Sequence, residues 1–303
     1  MLSNFAAKRN INEIRLASNL MSTSISKAIL EGAQALRAAG VAEARRESGS
    51  LLGHALGRDR TFVITHADEP LESGAFETFW ELIERRAAGA PLQYLTGRQE
   101  FFKLDFEVTP DVLIPRPETE LIVEIALELL EDDPEPFIAD IGTGSGCIVV
   151  SLLHELGEAR AIATDISPDA LKVAQRNAAR HAVADRLTLV ESDCFSALDS
   201  KEPFSLIASN PPYICDNEML VLQREVSQEP RAALAGGADG LDIVRRLLRE
   251  AAPFLCPGGH FVFEIGFGQN TAVEKLIKPD LWELIEIRPD LQGIARTVML
   301  KRK

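Results

Sequence analysis

The segment Ser209-Asn210-Pro211-Pro212-Tyr213 places a primary amide, two prolines and a phenol in succession at the end of an apolar run. That combination suits one chemical problem. A planar amide or amine nitrogen is a poor nucleophile because its lone pair is delocalised. Acceptors that take both of its N–H bonds orient the group and favour its electron-rich state as a methyl group approaches. The Asn210 side-chain oxygen and the Pro211 backbone carbonyl can supply those acceptors. The prolines stiffen the turn and remove competing N–H donors, and Tyr213 offers an aromatic face to a planar acceptor. The plainer reading of the same residues is a rigid turn with no ligand.

A second constellation lies upstream, where Asp140-Ile141-Gly142-Thr143-Gly144-Ser145-Gly146 follows an apolar strand and precedes a helical run from Cys147. Glycines let a ligand lie against the main chain at a helix N-terminus, whose positive end suits a carboxylate. The spacing is GxGxG, one residue shorter than the dinucleotide fingerprint. Asp165 falls 23 residues after the first glycine, where a carboxylate can accept both hydroxyls of a ribose. It can equally cap the helix that begins near Pro168, a role also open to Ser167. Further on, Ser192-Asp193-Cys194-Phe195 offers Asp193 as an acceptor for an adenine amino group, with Cys194 or Phe195 packing on the ring.

His54, His66, His154, His181 and His260 show neither mutual spacing nor carboxylate partners suited to a metal, and no metal is expected. No acid or base is assigned, because an oriented neutral amide can be methylated first and lose its proton to water afterwards. Cys147, Cys194, Cys215 and Cys256 form no CxxC pair, which argues against a zinc knuckle or a disulfide framework and fits a reducing cytoplasm.

The elements that must position these residues read clearly after Pro136. Short apolar runs at 137–141, 161–164, 187–190, 205–209, 260–265, 282–287 and 296–300 alternate with helical segments. This is the pattern of an α/β, doubly wound sheet with a late antiparallel pair. In such sheets ligands bind beyond the carboxyl ends of the strands near the switch in strand order, where both constellations fall. Upstream, apolar residues recur at helical spacing from Ser24 to about Arg86, as in Ile25, Ala28, Ile29 and Leu36 or Phe76, Phe79, Trp80 and Ile83. A small helical bundle is expected there. Between Pro91 and Pro117, Phe102, Leu104, Phe106 and Val108 alternate with polar residues and predict a hairpin between two domains.

The formal net charge of −14 disfavours broad binding to nucleic acid. The longest apolar stretch, around Ile138 to Leu153, is broken by Asp140 and glycines, and no membrane segment is expected. Residues 1–20 carry Lys8, Arg9 and Arg15 against Glu13, but lack an apolar h-region and a cleavage signature. They read as an upstream extension, with Met21 as a second possible start, rather than as a targeting helix.

Together, Asp140 to Gly146, Asp165, Asn210 to Tyr213 and the flanking Ile114-Pro115-Arg116-Pro117-Glu118-Thr119-Glu120 make the chain resemble the bacterial release factor glutamine methyltransferases. The resemblance continues at Tyr94-Leu95-Thr96-Gly97, Glu229-Pro230, Ala233-Leu234, Gly236-Gly237, Asp239-Gly240-Leu241 and Pro257-Gly258-Gly259, and runs from about Ser24 to the C-terminus. It implies a Rossmann-like seven-stranded methyltransferase sheet with a smaller N-terminal helical domain and a connecting β-hairpin. It implies these boundaries: an extension at 1–23, a substrate-recognition domain at 24–90, a hairpin linker at 91–117 and a methyltransferase domain at 118–303.

The implied reaction moves a methyl group from S-adenosylmethionine, leaving S-adenosylhomocysteine, to the side-chain nitrogen of the glutamine in the Gly-Gly-Gln motif of peptide-chain release factors. Gly142, Thr143, Gly144, Ser145, Gly146, Asp165, Asp193, Cys194 and Asn210 are then the cofactor residues, with Cys194 standing where the resemblance implies an aromatic ring. Asn210, Pro211, Pro212 and Tyr213 hold the glutamine, and Phe101 is either a wall of the substrate channel or hairpin core. Two other functions share these residues: adenine-N6 methylation of DNA or RNA, and cofactor binding without catalysis. A nicotinamide dehydrogenase fits the glycine spacing less well.

Overall fold

Ile25, Ala28 and Leu36 share one helical face, and all three are buried in the computed structural model, which describes residues 23–303. The segment read as an extension, including Met21, lies outside the described residues apart from Thr23. Contacts divide the chain into two units, one comprising residues up to Gly97 with Arg224–Gln228, the other Arg98–Gln223 with Glu229–Lys303.

The first unit is helical, with α1 at Ile25–Ala38, α2 at Ala44–Leu56, α3 at Arg60–Thr65, α4 at Ser73–Ala87 and α5 at Leu92–Thr96. Side-chain oxygens of Ser24 and Asp59 cap α1 and α3 by accepting the N–H of Lys27 and Phe62, as short polar residues at that position do. Leu36, Leu51, Leu52, Phe79, Trp80 and Ile83 close its core. Buried Arg86 donates to Glu47 and to Glu225, the latter at 2.8 Å, so a residue far along the chain completes this unit.

The second unit begins with an antiparallel hairpin, β1 at Arg98–Phe101 and β2 at Leu104–Glu107. Helix α6 follows at Glu120–Leu129. Then β3 (Phe137–Ile141), α7 (Cys147–Glu155), β4 (Arg160–Asp165), α8 (Pro168–Arg180), β5 (Leu187–Glu191) and β6 (Phe204–Ser209) alternate. The chain ends with α9 (Asp242–Glu250), β7 (Leu255–Glu264), α10 (Asn270–Leu276), β8 (Trp282–Pro289) and β9 (Ala295–Arg302). The seven-stranded sheet has the order β5-β4-β3-β6-β7-β9-β8, with β3 to β7 parallel and β9 antiparallel to both its neighbours. The expected α/β class and the late antiparallel pair are both present. Two apolar layers cover the sheet, one centred on Ile122, Val149 and Leu152, the other on Leu247, Phe261 and Trp282.

Two local readings change. The strand expected from residue 260 starts at Leu255, because Pro257-Gly258-Gly259 sits inside the strand as a bulge: Phe204 faces Leu255, yet Leu206 faces His260. Phe101 takes the core alternative, being 1% exposed and packed edge-on against Phe106 with ring centroids 6.0 Å apart, which leaves it no face for a substrate. Among the described residues no helix is long and apolar enough to cross a membrane.

Candidate active site

Strand β3 lies between β4 and β6, so the chain leaves the sheet in opposite directions on its two sides, and the loops after β3 and β6 meet at that switch, where open α/β sheets bind their ligands. The Ser209 hydroxyl donates to the Ile141 carbonyl at 2.7 Å and ties the two strand ends together.

The loop after β3 takes left-handed torsions at Gly142 (φ 76), Gly144 (φ 55) and Gly146 (φ 80), which only glycine adopts freely. A methyl group added at Gly142 or Gly144 would meet nothing within 4 Å, so their backbone borders open space, whereas at Gly146 it would press on Ala174 at 3.2 Å. The N–H groups of Gly142 and Thr143 donate to the Thr164 carbonyl. Below the loop, Asp140 is fully buried; its Oδ2 accepts the Thr143 hydroxyl at 2.6 Å, and its Oδ1 has no partner among the described residues. Burial pushes the Asp140 carboxyl up to about 7. The Ser145 hydroxyl is likewise buried without a partner. An open glycine cradle beside an orphaned acceptor fits a ligand that brings its own donors, as S-adenosylmethionine does with its ammonium group.

At the end of β4, Asp165 accepts the Gly144 N–H through Oδ2 (2.8 Å) and the Ser167 N–H through Oδ1 (2.9 Å), so it pins the cradle while each oxygen keeps a further lone pair. Its carboxyl is raised above the usual range by burial, against the pull of these N–H groups. The capping role falls to Ser167, whose hydroxyl accepts the Ala170 N–H at 3.2 Å. Ser167→Ala is expected to cost about 1 kcal/mol of stability in urea unfolding; no loss would show that the cap is redundant with Pro168 in the first turn.

After β5, Asp193 is exposed and its Oδ1 is taken by Arg246 at 2.6 Å, which also donates to the Asp193 carbonyl. Phe195 is committed to the core, stacked on Phe254 at 5.0 Å, while Cys194 is half-buried against the same apolar layer at a positive φ of 53.

After β6, Asn210 is partly exposed. Its Nδ2 donates to the Thr119 hydroxyl at 2.9 Å, while Oδ1 has no donor among the described residues. The Thr119 hydroxyl in turn donates to Glu264 Oε2 at 2.6 Å, and the buried Tyr213 phenol lies beside the same carboxylate. The Tyr213 carbonyl is held by Gln269 Nε2 at 3.0 Å. Gly240 packs so close behind the turn that a Cβ there would stand 2.2 Å from that carbonyl, which accounts for glycine in Asp239-Gly240-Leu241. Glu229 accepts the Ile114 N–H at 3.1 Å and the Arg116 guanidinium, holding the segment that presents Thr119.

Glu264 and Asn177 carry no local pattern that singles them out. Asn177 donates to the Ser145 carbonyl (2.9 Å) and the Glu107 carbonyl (3.0 Å), joining the glycine loop to the hairpin. Only the Glu-Pro and Pro-Glu-Thr-Glu strings gave a signal for Glu229 and Thr119.

A mixed sheet of this order, with a glycine cradle after β3 and Asn-Pro-Pro-Tyr after β6, defines a Rossmann-like S-adenosylmethionine-dependent methyltransferase. Residues 27–97 match the family described as PrmC N-terminal domain, and residues 120–238 that described as Methyltransferase small domain. A release factor glutamine methyltransferase of Moorella thermoacetica is 45% identical over 280 residues, covering 92% of this chain and 99% of its own. The protein of that name from Nitratidesulfovibrio vulgaris is 42% identical over 287 residues, covering 92% and 97%. Among solved structures, the hMettl16 catalytic domain in complex with MAT2A 3'UTR hairpin 1 shares the fold, with a TM-score of 0.53 and 15% identity over 73% of this chain and 80% of that one. The chain belongs to the release factor glutamine methyltransferase family.

Proposed function

We propose that the chain transfers a methyl group from S-adenosylmethionine to the side-chain N5 of the glutamine in the Gly-Gly-Gln motif of peptide-chain release factors. The observation that carries this reading is Asn210, whose amide nitrogen is committed to Thr119 so that its oxygen is left to accept. The relatives that align with 92% of the chain are release factor glutamine methyltransferases, which supports the same substrate.

Gly142, Thr143, Gly144, Ser145 and Gly146 form the cradle for the cofactor, Asp165 accepts its ribose hydroxyls, Asp140 takes a donor through its free oxygen, and Asp193 and Cys194 border the base. Bound there, S-adenosylmethionine supplies an electrophilic methyl group on a sulfonium sulfur. Asn210 Oδ1 and the Pro211 carbonyl take the two N–H bonds of the incoming amide, and Pro212 and Tyr213 give its plane a rigid wall. The buried Tyr213 phenol is pushed up by desolvation and by Glu264, so it stays neutral and acts as a donor rather than as a base. The helical unit engages the release factor, and a substrate of that kind assigns the reaction to the cytoplasm.

Incubation with radiolabelled methyl donor and three separate acceptors tests the proposal: a release factor, its Gln→Ala variant and duplex DNA. Label is expected in the intact factor alone. Label in DNA, or in the Gln→Ala factor at an equal rate, would sink it.

Asp165→Ala is expected to raise the cofactor dissociation constant about tenfold or more, since charged hydrogen bonds are worth roughly 1.5 to 3 kcal/mol. Unchanged affinity by calorimetry in a folded variant removes Asp165 from the site.

A further inference from the structure

We infer that Thr119 and Glu264 are positioning residues that determine which end of the Asn210 amide faces the acceptor substrate. The inference rests on the proposed role of Asn210 and names what sets that residue's polarity.

An asparagine side chain is nearly symmetric in shape, and its oxygen and nitrogen can exchange places by a half-turn about the last torsion. Only one orientation serves a substrate N–H; the other presents a donor to a donor. Something must choose between them, and Asn210 cannot do so itself.

The choice is made two residues away in the hydrogen-bond chain. Glu264 ends β7 and Asn210 follows β6; the two strands pair in parallel, with Ser209 opposite Phe263, so both side chains emerge at the same edge of the crevice. Thr119 reaches the gap between them from the start of α6. The Thr119 hydroxyl has one hydrogen. The Thr119 hydroxyl donates to Glu264 Oε2 at 2.6 Å, which consumes that hydrogen; burial raises the Glu264 carboxyl above its usual range, while this bond favours the charged form that only accepts. What Thr119 then offers Asn210 is a lone pair, which selects the amide nitrogen as its partner at 2.9 Å and turns Oδ1 outward.

The Tyr213 phenol lies beside Glu264, and each raises or lowers the other's proton affinity as buried neighbours do. Glu264 and Thr119 are 1% and 2% exposed, so water has little access to either partner, and a hydrogen-bond chain in such surroundings is stiff in its polarity. Glu229, which grips Ile114 and Arg116, holds the short helical turn Pro117–Thr119 in place.

Single-turnover methyl transfer at saturating cofactor, together with the cofactor dissociation constant, tests the relay in the full chain. Thr119→Val removes the hydroxyl and is expected to slow transfer about 10-fold to 100-fold, less than the direct loss of an electrostatic partner, with cofactor affinity within about twofold of the parent. Thr119→Ser restores the relay, and its rate should return to within about threefold. Glu264→Gln replaces one carboxylate oxygen by an NH2 that can donate to Thr119 and release its hydroxyl hydrogen towards Asn210, so it should slow transfer into the same range. Adding Thr119→Val to Asn210→Ala should cost less than about twofold more, because the relay acts only through that amide.

The inference is overturned by an Asn210→Ala enzyme that is slow while Thr119→Val runs at the parental rate. It is equally overturned if the losses from Thr119→Val and Asn210→Ala multiply, or if Thr119→Ser is as slow as Thr119→Val. A fully active Asn210→Ala enzyme rejects the acceptor-site reading itself and the relay with it.

Discussion

Asn210→Ala slows methyl transfer on the order of 100-fold to 1,000-fold while leaving affinity for S-adenosylmethionine nearly intact. The lost oxygen orients the acceptor nitrogen and has no part in the glycine cradle. The Asn210→Asp variant separates two parts of that role. It keeps an acceptor in almost the same place but deletes the donor to Thr119, so the one hydroxyl hydrogen of Thr119 is left between two carboxylates, those of residue 210 and Glu264. Partial activity is expected, below the parent and above Asn210→Ala. Single-turnover assays at saturating cofactor distinguish the three enzymes. If Asn210→Ala turned over like the parent, the loop would be structural and the glutamine assignment would lose its physical basis.

A chain beginning at Arg98 retains cofactor binding and loses methylation of an intact release factor. Each unit closes its own apolar core: the helical one ends at Leu95, and those of the sheet unit start at Phe101. The glycine loop, Asp165 and Asn210 all lie downstream of the cut. What is removed is the proposed grip on the protein substrate, and an acceptor misplaced by about 1 Å loses on the order of 100-fold in rate. We therefore expect at least about a 100-fold fall in kcat/KM on the intact factor, with equal, slow rates for the two enzymes on a short Gly-Gly-Gln peptide. Parental activity of the shortened enzyme on the intact factor would refute the role given to the helical unit. The cut belongs at Arg98 rather than after the hairpin linker expected at 91–117, because Phe101 and Phe106 pack in the core of the sheet unit.

The parts of this site that are legible in sequence are those in which one residue type does one local job. Gly142 and Gly144 announce a backbone that side chains would obstruct, the Asn-Pro-Pro-Tyr string announces a stiff turn, and the parallel strands announce themselves by short apolar runs between helices. Thr119 and Glu264 are opaque by contrast, because they are 145 positions apart and each is a common residue type whose meaning comes only from the other. The same holds for Glu229, which reaches back 115 positions to Ile114. Pro257-Gly258-Gly259 reads as a turn from its composition, yet strand pairing on both sides overrides that preference and stretches β7 through it. The Arg224–Gln228 segment has nothing in its sequence to say that it belongs with helices more than a hundred residues earlier; the buried Arg86, which Glu225 helps to neutralise, decides it.

The proline that follows Asn210 also bears on how long the enzyme lasts. Asparagine side chains age by deamidation, which begins when the backbone nitrogen of the next residue attacks the side-chain carbonyl and closes a succinimide ring. Pro211 has no N–H and its nitrogen carries the ring carbon instead, so that route is shut at this residue. Spontaneous conversion of Asn210 to aspartate would set the carboxylate of residue 210 against the relay from Glu264. The dipeptide that shapes the acceptor turn therefore also shields its most sensitive amide from chemical wear over the lifetime of the protein.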